Sequence, residues 1–507
     1  MTRSSRFLLP SLGLVLLLAP ATAQEAAQRT ALRFEVSVAP EQVTTPAQSG
    51  RVVVVISKEG GRRGEPRFSI GRTGMDTPPI LGADADNFTA EKVVVLDDTA
   101  DIFPIARLGQ LSAGDYLVQA VLMTNRDIYL HDAEGNLYSK PVRVRLDPAQ
   151  GGAVKLRLTE KVPPEQLPAE TRTHKFVKLP SKLLSDFHKR PIYLRAGIVL
   201  PRDFDEQPSK KYPLRVHIGG YGTRYTAARF VQPSPMLTLV LDGAGPYGDS
   251  YQVNSANNGP LGDAITQELI PYVEKQYRGI GRGYARFTDG GSTGGWVSLA
   301  LQIFYPDFFN GCWSACPDSV DFRSYELIDI YRDENAYVNR YGFERPAKRT
   351  INGDTVYTVR HECHVENVLG RGGRWYVGGK DWSAWNATYG PRGADGLPKP
   401  LWDPKTGKID RSVVEHWQKY DLRMVVEKNW ATLGPKLNGK IHIWVGDADD
   451  YFLNNGVHHF KAAVQKLQNP PFEGVIEIVM RMPHTSGWRD RDIVQQMIQR
   501  AESGGRN

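Results

Sequence analysis

The stretch that most constrains this chain is Gly290-Gly291-Ser292-Thr293-Gly294, followed at once by Gly295. It is a single G-x-S-x-G pentapeptide. A serine on a tight turn between a strand and a helix must take strained backbone angles, and the close packing of strand on helix leaves room only for small neighbours. Upstream, residues 284–288 read as a short strand, and downstream residues 296–304 read as a buried helix that stops before Pro306. The context is strand, turn, helix. Glycine-rich pentapeptides also arise by chance in a chain with 49 glycines, so the weight of this one comes from its company.

The start of the chain addresses its compartment. Arg3 and Arg6 precede the apolar run Phe7 to Leu18, and Ala21-Thr22-Ala23 supplies the small-x-small pattern. This predicts a cleavable signal peptide over residues 1–23 and a secreted or periplasmic protein. No later run approaches the roughly 20 apolar residues that a span needs, so no membrane span is expected. Three cysteines are too few for a disulfide scaffold in 507 residues. Cys312 and Cys316 would lie about 13 Å apart on one strand, beyond bridging distance. A Cys316 to Cys363 bridge is open beside the reading of buried free thiols. There is no C-x-x-C or H-E-x-x-H pattern, and neither a metal nor a cofactor is expected. The net charge of +7 is spread singly along the chain, without the basic stripe that nucleic-acid binding needs.

The composition changes near residue 160. Before it, over residues 29–160, short β-branched runs are separated by turns with no helix of useful length, the pattern of a small immunoglobulin-like β-sandwich. Its acidic stretch Asp84-Ala85-Asp86-Asn87 lacks the ligand spacing of a calcium loop and reads as a solvated turn. Residues 161–190 carry Pro163, Pro164, Pro168 and Pro180 and read as a surface linker. From 191 to 500 strands alternate with helices, which implies a doubly wound, mainly parallel sheet. Within it, residues 320–430 are too long for a plain connection and read as a cap insertion over the strand ends. Trp375, Trp382, Trp385, Tyr389 and Trp402 cluster there. They are expected to form the cap's own core, with one or two lining a pocket.

A serine hydroxyl needs an imidazole within hydrogen-bond reach, and the imidazole needs a carboxylate to fix its tautomer. In this type of sheet the chain order is serine, acid, histidine. His484 follows the last strand, whereas His458 and His459 fall on a helix. Asp449 lies three residues past Gly446 at the end of the strand over 441–445, with Asp447 and Asp450 as alternatives and Asp318 as the next in line. The oxyanion of a tetrahedral intermediate needs two fixed N–H donors. These are expected from the backbone of Thr293 and, in the loop His217-Ile218-Gly219-Gly220-Tyr221-Gly222, of Tyr221.

Gln267 to Arg278, the pentapeptide at Ser292, Gly446-x-x-Asp449 and Pro483-His484 together resemble the esterase D and enterochelin-esterase-like group of α/β-hydrolases. The resemblance covers about residues 190 to 490. It implies an α/β-hydrolase sheet and a serine carboxylesterase with Ser292 as nucleophile, Asp449 as acid and His484 as base. That group usually has His-Gly-x-Gly-Gly at the oxyanion loop, whereas here Ile218 follows His217. The expected reaction is hydrolysis of a small-molecule or glycan ester through an acyl-serine. A prolyl-oligopeptidase-like peptidase shares the triad order, but the region before residue 160 is too short for its propeller. A non-catalytic binding protein would have no reason to keep all three groups.

Overall fold

The structure, a computed structural model, describes residues 29–44, 47–58 and 64–505; the signal peptide expected over residues 1–23 lies outside them. Short β-branched runs build nine strands: β1 (Leu32–Val38), β2 (Gln48–Ser57), β3 (Ile80–Phe88), β4 (Val93–Leu96), β5 (Asp101–Phe103), β6 (Gly114–Met123), β7 (Leu137–Ser139), β8 (Val142–Leu146) and β9 (Gly152–Lys161). Instead of two separate sheets they join edge to edge in the order β4-β1-β9-β7-β6-β2-β3-β5, with β8 also on β6. The reason is the length of β6. It pairs with β2 along one edge, and along the other with β8 at Val118↔Val142 and then with β7 at Leu122↔Leu137. Phe34, Val36, Val52, Val54 and Leu158 pack in the core of this sheet.

Strand β2 does not alternate between apolar and polar residues. Val52, Val54 and Ile56 enter that core, while Val53 and Val55 face the other way and are equally buried. What covers them comes from the far half of the chain: Val365, Val368 and Leu369 of helix Val359–Leu369. Arg51, on the same strand, is 3 % exposed. Its guanidinium donates to Val368 O at 2.9 Å, Asp84 Oδ1 at 2.9 Å and Asp101 Oδ2 at 2.5 Å. Residues 84–87 are solvent-exposed at Asp84, Asp86 and Asn87, as expected, but they do not form a turn. They lie in β3, where Asp84 also accepts from Gly372 N and Asp86 pairs with Arg371, because their carboxylates face a basic segment of the insert.

The second sheet has eight strands: β10 (His174–Pro180), β11 (Tyr193–Val199), β12 (Leu214–Ile218), β13 (Leu237–Leu241), β14 (Arg286–Gly291), β15 (Cys312–Ala315), β16 (Ile441–Gly446) and β17 (Val475–Val479). Their order is β10-β11-β13-β12-β14-β15-β16-β17. Strand β11 runs antiparallel to both neighbours, and from β13 onward all pairs are parallel. This is the strand order of the α/β-hydrolase fold. The linker expected over 161–190 is shorter than its prolines suggest, since Phe176 and Val177 bury as β10 pairs with β11. One sheet face carries helix α1 (Thr293–Phe304) and the large core; the other is closed by Ile493, Val494 and Met497 of Asp490–Gly504 against Phe287 and Trp313.

The insert holds α2 (Val359–Leu369) and α3 (Asp381–Tyr389). It ends earlier than residue 430, because helix Leu422–Leu437 already packs on the sheet. Its aromatic residues do not form a separate core. Tyr389 lies 5.1 Å from Trp296 of α1, ring centre to ring centre, and Trp385 Nε1 donates to Asp318 Oδ2 at 3.3 Å. The insert and the sheet share one interior. All three cysteines are buried free thiols, so Cys316 and Cys363 are not bridged.

The seam between β2 and α2 generates a prediction. Leu369→Ala opens a cavity there and is expected to cost about 2 to 5 kcal/mol in urea unfolding. A cost below about 1 kcal/mol, the level of a surface change, would show that the seam is not packed as described.

Candidate active site

The serine turn is built by close backbone approach. Ser292 sits between β14 and α1 at φ 59 and ψ −126, a conformation that costs a non-glycine residue on the order of 1 to 3 kcal/mol. Its neighbours show why small residues are required. A Cβ on Gly290 would lie 2.5 Å from Gly294 O and from Ile218 O; one on Gly294 would lie 2.1 Å from Ile218 O, and one on Gly295 2.4 Å from Ala315 O. The turn is tied at both ends. Ser292 N donates to Ala315 O at 3.0 Å, and Ser292 O accepts from Trp296 N at 3.1 Å and Asp318 N at 3.3 Å.

His484 and Asp449 meet at the ends of the next strands. His484 Nδ1 is 2.7 Å from Asp449 Oδ2, and Asp449 is fully buried. Oδ1 of Asp449 accepts from Tyr451 N at 2.9 Å and Leu453 N at 3.3 Å, which fixes the carboxylate plane. The pKa of His484 is raised above its ordinary 6.5. Burial works against the charged ring, but the hydrogen bond and charge of Asp449, with Asp318 and Asp450 beyond, outweigh it. Of the alternatives, Asp447 accepts from Arg481 N at 2.6 Å. The Asp450 carbonyl accepts from Arg349 N at 2.8 Å. Asp318 stands near the pair without hydrogen-bonding the histidine: it accepts from Thr293 Oγ1 at 3.1 Å, Trp385 Nε1 at 3.3 Å and the hydroxyl of Tyr251.

Ser292, Thr293, Tyr221 and His484 line one cavity of about 300 Å³, whose remaining wall includes Asp318, Glu326, Glu362, Asp381 and Trp385. The cavity brings together the serine, the histidine and both residues expected to supply N–H donors. The N–H of Thr293 opens helix α1, at its positive end. The loop carrying Tyr221 is held by Asp249, whose Oδ2 accepts from Gly222 N at 2.8 Å. Burial pushes the Asp249 carboxyl up to about 7 despite the N–H groups of Tyr251 and Gly222. Ile218, the departure from the group's glycine, offers its carbonyl to the space left by Gly290 and Gly294.

Several supporting residues give no signal in the sequence. Asp249 lies in a short hairpin after β13 with nothing to mark it. Arg349 reaches from the insert to the acid turn, with Nε 3.0 Å from Asp449 O and Nη2 3.3 Å from Asp447 O. Glu366 of α2 accepts from Trp382 N and Ser383 N, each at 2.9 Å, and so supplies the free N–H groups at the start of α3 with an acceptor. Only a three-dimensional arrangement reveals such long-range partners.

Neither a family model nor a curated protein matches the sequence. Among solved structures, the chain is similar to a ferulic acid esterase at 15 % identity, over 65 % of this chain and 98 % of that one, with a TM-score of 0.34. It is similar to an S-formylglutathione hydrolase from Agrobacterium tumefaciens at 12 %, over 65 % and 94 %, with a TM-score of 0.36. A third is a dipeptidyl peptidase 4 from Porphyromonas gingivalis at 14 %, over 84 % and 46 %, with a TM-score of 0.35. Likeness at this level carries no chemistry, which rests on the geometry of the site.

Proposed function

We propose that the chain is a serine hydrolase that cleaves carboxylic esters through an acyl-Ser292 intermediate. The observation that carries this reading is the Asp449–His484 pair at 2.7 Å, with His484 facing the same cavity as a serine at φ 59. Because Nδ1 of His484 is engaged by Asp449, Nε2 is left to take the proton of the Ser292 hydroxyl as Oγ attacks the ester carbonyl. The tetrahedral oxyanion is met by the N–H groups of Thr293 and Tyr221. Collapse breaks the bond to the alcohol, which leaves with the proton from His484. Water then gives a proton to the same nitrogen, attacks the acyl-enzyme and releases the acid and the free serine. No cofactor takes part in this scheme. Export is proposed on the strength of Arg3, Arg6 and the apolar run that follows them.

A fluorophosphonate probe is expected to label Ser292. Ser292→Ala should lose both the label and hydrolysis of nitrophenyl acetate, with a fall in turnover on the order of 10⁴ to 10⁶. Most of the activity surviving in that variant would remove Ser292 from the reaction.

A second prediction concerns the acid and the pH profile. The base must be neutral, so kcat/KM should fall as the pH drops through the raised pKa of His484, above its ordinary 6.5. In Asp449→Asn the carboxylate support is gone while burial remains. The acid limb should then move to lower pH and turnover should fall by about 10⁴. Asp447→Asn and Asp450→Asn should each cost less than about tenfold, as neutralising a peripheral charge does. Near-normal turnover in Asp449→Asn would reassign the acid.

A further inference from the structure

The wall of the cavity opposite the sheet holds a group that the proposed chemistry does not use. Glu326 is 1 % exposed, and neither of its carboxyl oxygens has a hydrogen-bond partner. It also stands in the left-handed region at φ 50. The strain is locked in, because Tyr325 and Ile328 exchange both backbone hydrogen bonds at 2.9 Å across the two-residue turn Glu326-Leu327, and Arg345 Nη1 holds Leu327 O at 2.6 Å. A buried unpaired carboxyl and a strained backbone each cost free energy, and the fold pins both at one residue in the wall of the cavity that Ser292 also lines.

The surroundings give the sign of what is missing. Burial first, then the charges of Glu362, Asp381 and Asp318, raise the Glu326 carboxyl well above its usual range. Burial and Asp381 likewise push Glu362 up to about 8, even though Glu362 accepts from Trp382 Nε1 at 2.8 Å and Lys380 and Lys348 pull it the other way. Tyr221, Tyr357, Trp385 and Tyr451 supply aromatic faces around the same space. A carboxyl group without donors at Glu326, with further acids nearby and aromatic rings around it, suits a cation with N–H groups to give.

We propose that Glu326, with Glu362 and Asp381, receives an N–H-bearing cation of the substrate, so that the preferred ester carries an ammonium or guanidinium group. The catalytic half of this statement rests on the hydrolase reading; the binding half does not. A protonated amine donates to both orphaned oxygens and returns Glu326 to its ionised form, and the proton leaves to solvent. An uncharged chain of the same length leaves the oxygens unpaired.

Two measurements test it separately. In the first, nitrophenyl esters of glycine, β-alanine and ε-aminohexanoic acid are compared with their propanoyl, butanoyl and heptanoyl isosteres. At least one amino ester is expected to exceed its isostere in kcat/KM by about tenfold or more, the size of a hydrogen bond to a charged group. Glu326→Gln, which keeps the shape and removes the charge, should bring the ratio to within about threefold. No preference at any length, or a preference that survives in Glu326→Gln, overturns the proposal. In the second, calorimetry reads butylammonium against butanol in Ser292→Ala. Binding of the amine alone, lost when Glu326→Gln is added, supports the site whether or not Ser292 is the nucleophile. Equal heats for amine and alcohol overturn it. Failure of fluorophosphonate labelling with amine binding intact would overturn the hydrolase reading and leave this one standing.

Discussion

Everything at the site depends on how closely three pieces of backbone approach at Ser292. The carbonyls of Ile218 at the end of β12 and of Ala315 at the end of β15 occupy the space where side chains of Gly290, Gly294 and Gly295 would otherwise lie. That contact forces the sharp turn between β14 and α1, holds Ser292 at positive φ and sets Thr293, the first residue of the helix, in the cavity wall. The strain is local and is borne by the packing of the whole sheet around it. Phe287, two residues into β14, is clamped between Met236, Trp313 and the C-terminal helix, while Trp296, one turn into α1, sits in the main core. A turn anchored by large side chains on both flanks holds an angle that an isolated loop would relax.

The insert completes the site from the opposite direction. Sheet strands deliver Ser292, Asp449 and His484, whereas α2, α3 and the turn before them deliver Glu362, Asp381, Trp385 and Glu326. The two sets meet through buried polar contacts, among them Trp385 Nε1 to Asp318 Oδ2 and Arg349 to the carbonyls of the acid turn. Hydrogen bonds of this kind are strong where water is excluded and costly when half satisfied. Their density argues that the insert is part of the interior and not a flap laid over it.

How much of this was legible in the sequence depended on the range of the signal. The serine turn was readable because its requirement is local: small residues at fixed offsets from Ser292 between a strand and a helix. The positions of Asp449 and His484 were readable as strand-end loops in a known order, though choosing among Asp447, Asp449 and Asp450 needed the fold of the turn. Strand β10 was hidden because prolines around it suggested a linker, and the burial of Phe176 and Val177 comes only from pairing with β11. The union of the first nine strands into one sheet was hidden for a similar reason, since the change of partner along β6 leaves no mark in its own residues. Glu326 gave no signal at all. An acidic residue between a tyrosine and a leucine looks like surface until Tyr325 and Ile328 are seen to pin it inside.

The unbroken run Val52-Val53-Val54-Val55-Ile56 of β2 ties the architecture of the two halves together. One side of that run belongs to the core of the first sheet, and the other is the seat of α2, the same helix that presents Glu362 to the cavity and Glu366 to the start of α3. The first sheet is thus the foundation on which one wall of the site is mounted. A fragment beginning at β10 would keep the serine turn and its partners but would bare Val365, Val368 and Leu369 to water, a contiguous apolar stripe of the sort that drives self-association. In this protein the serine site and the first sheet form one structural unit, and recombination that separates them would have to supply a new floor for α2.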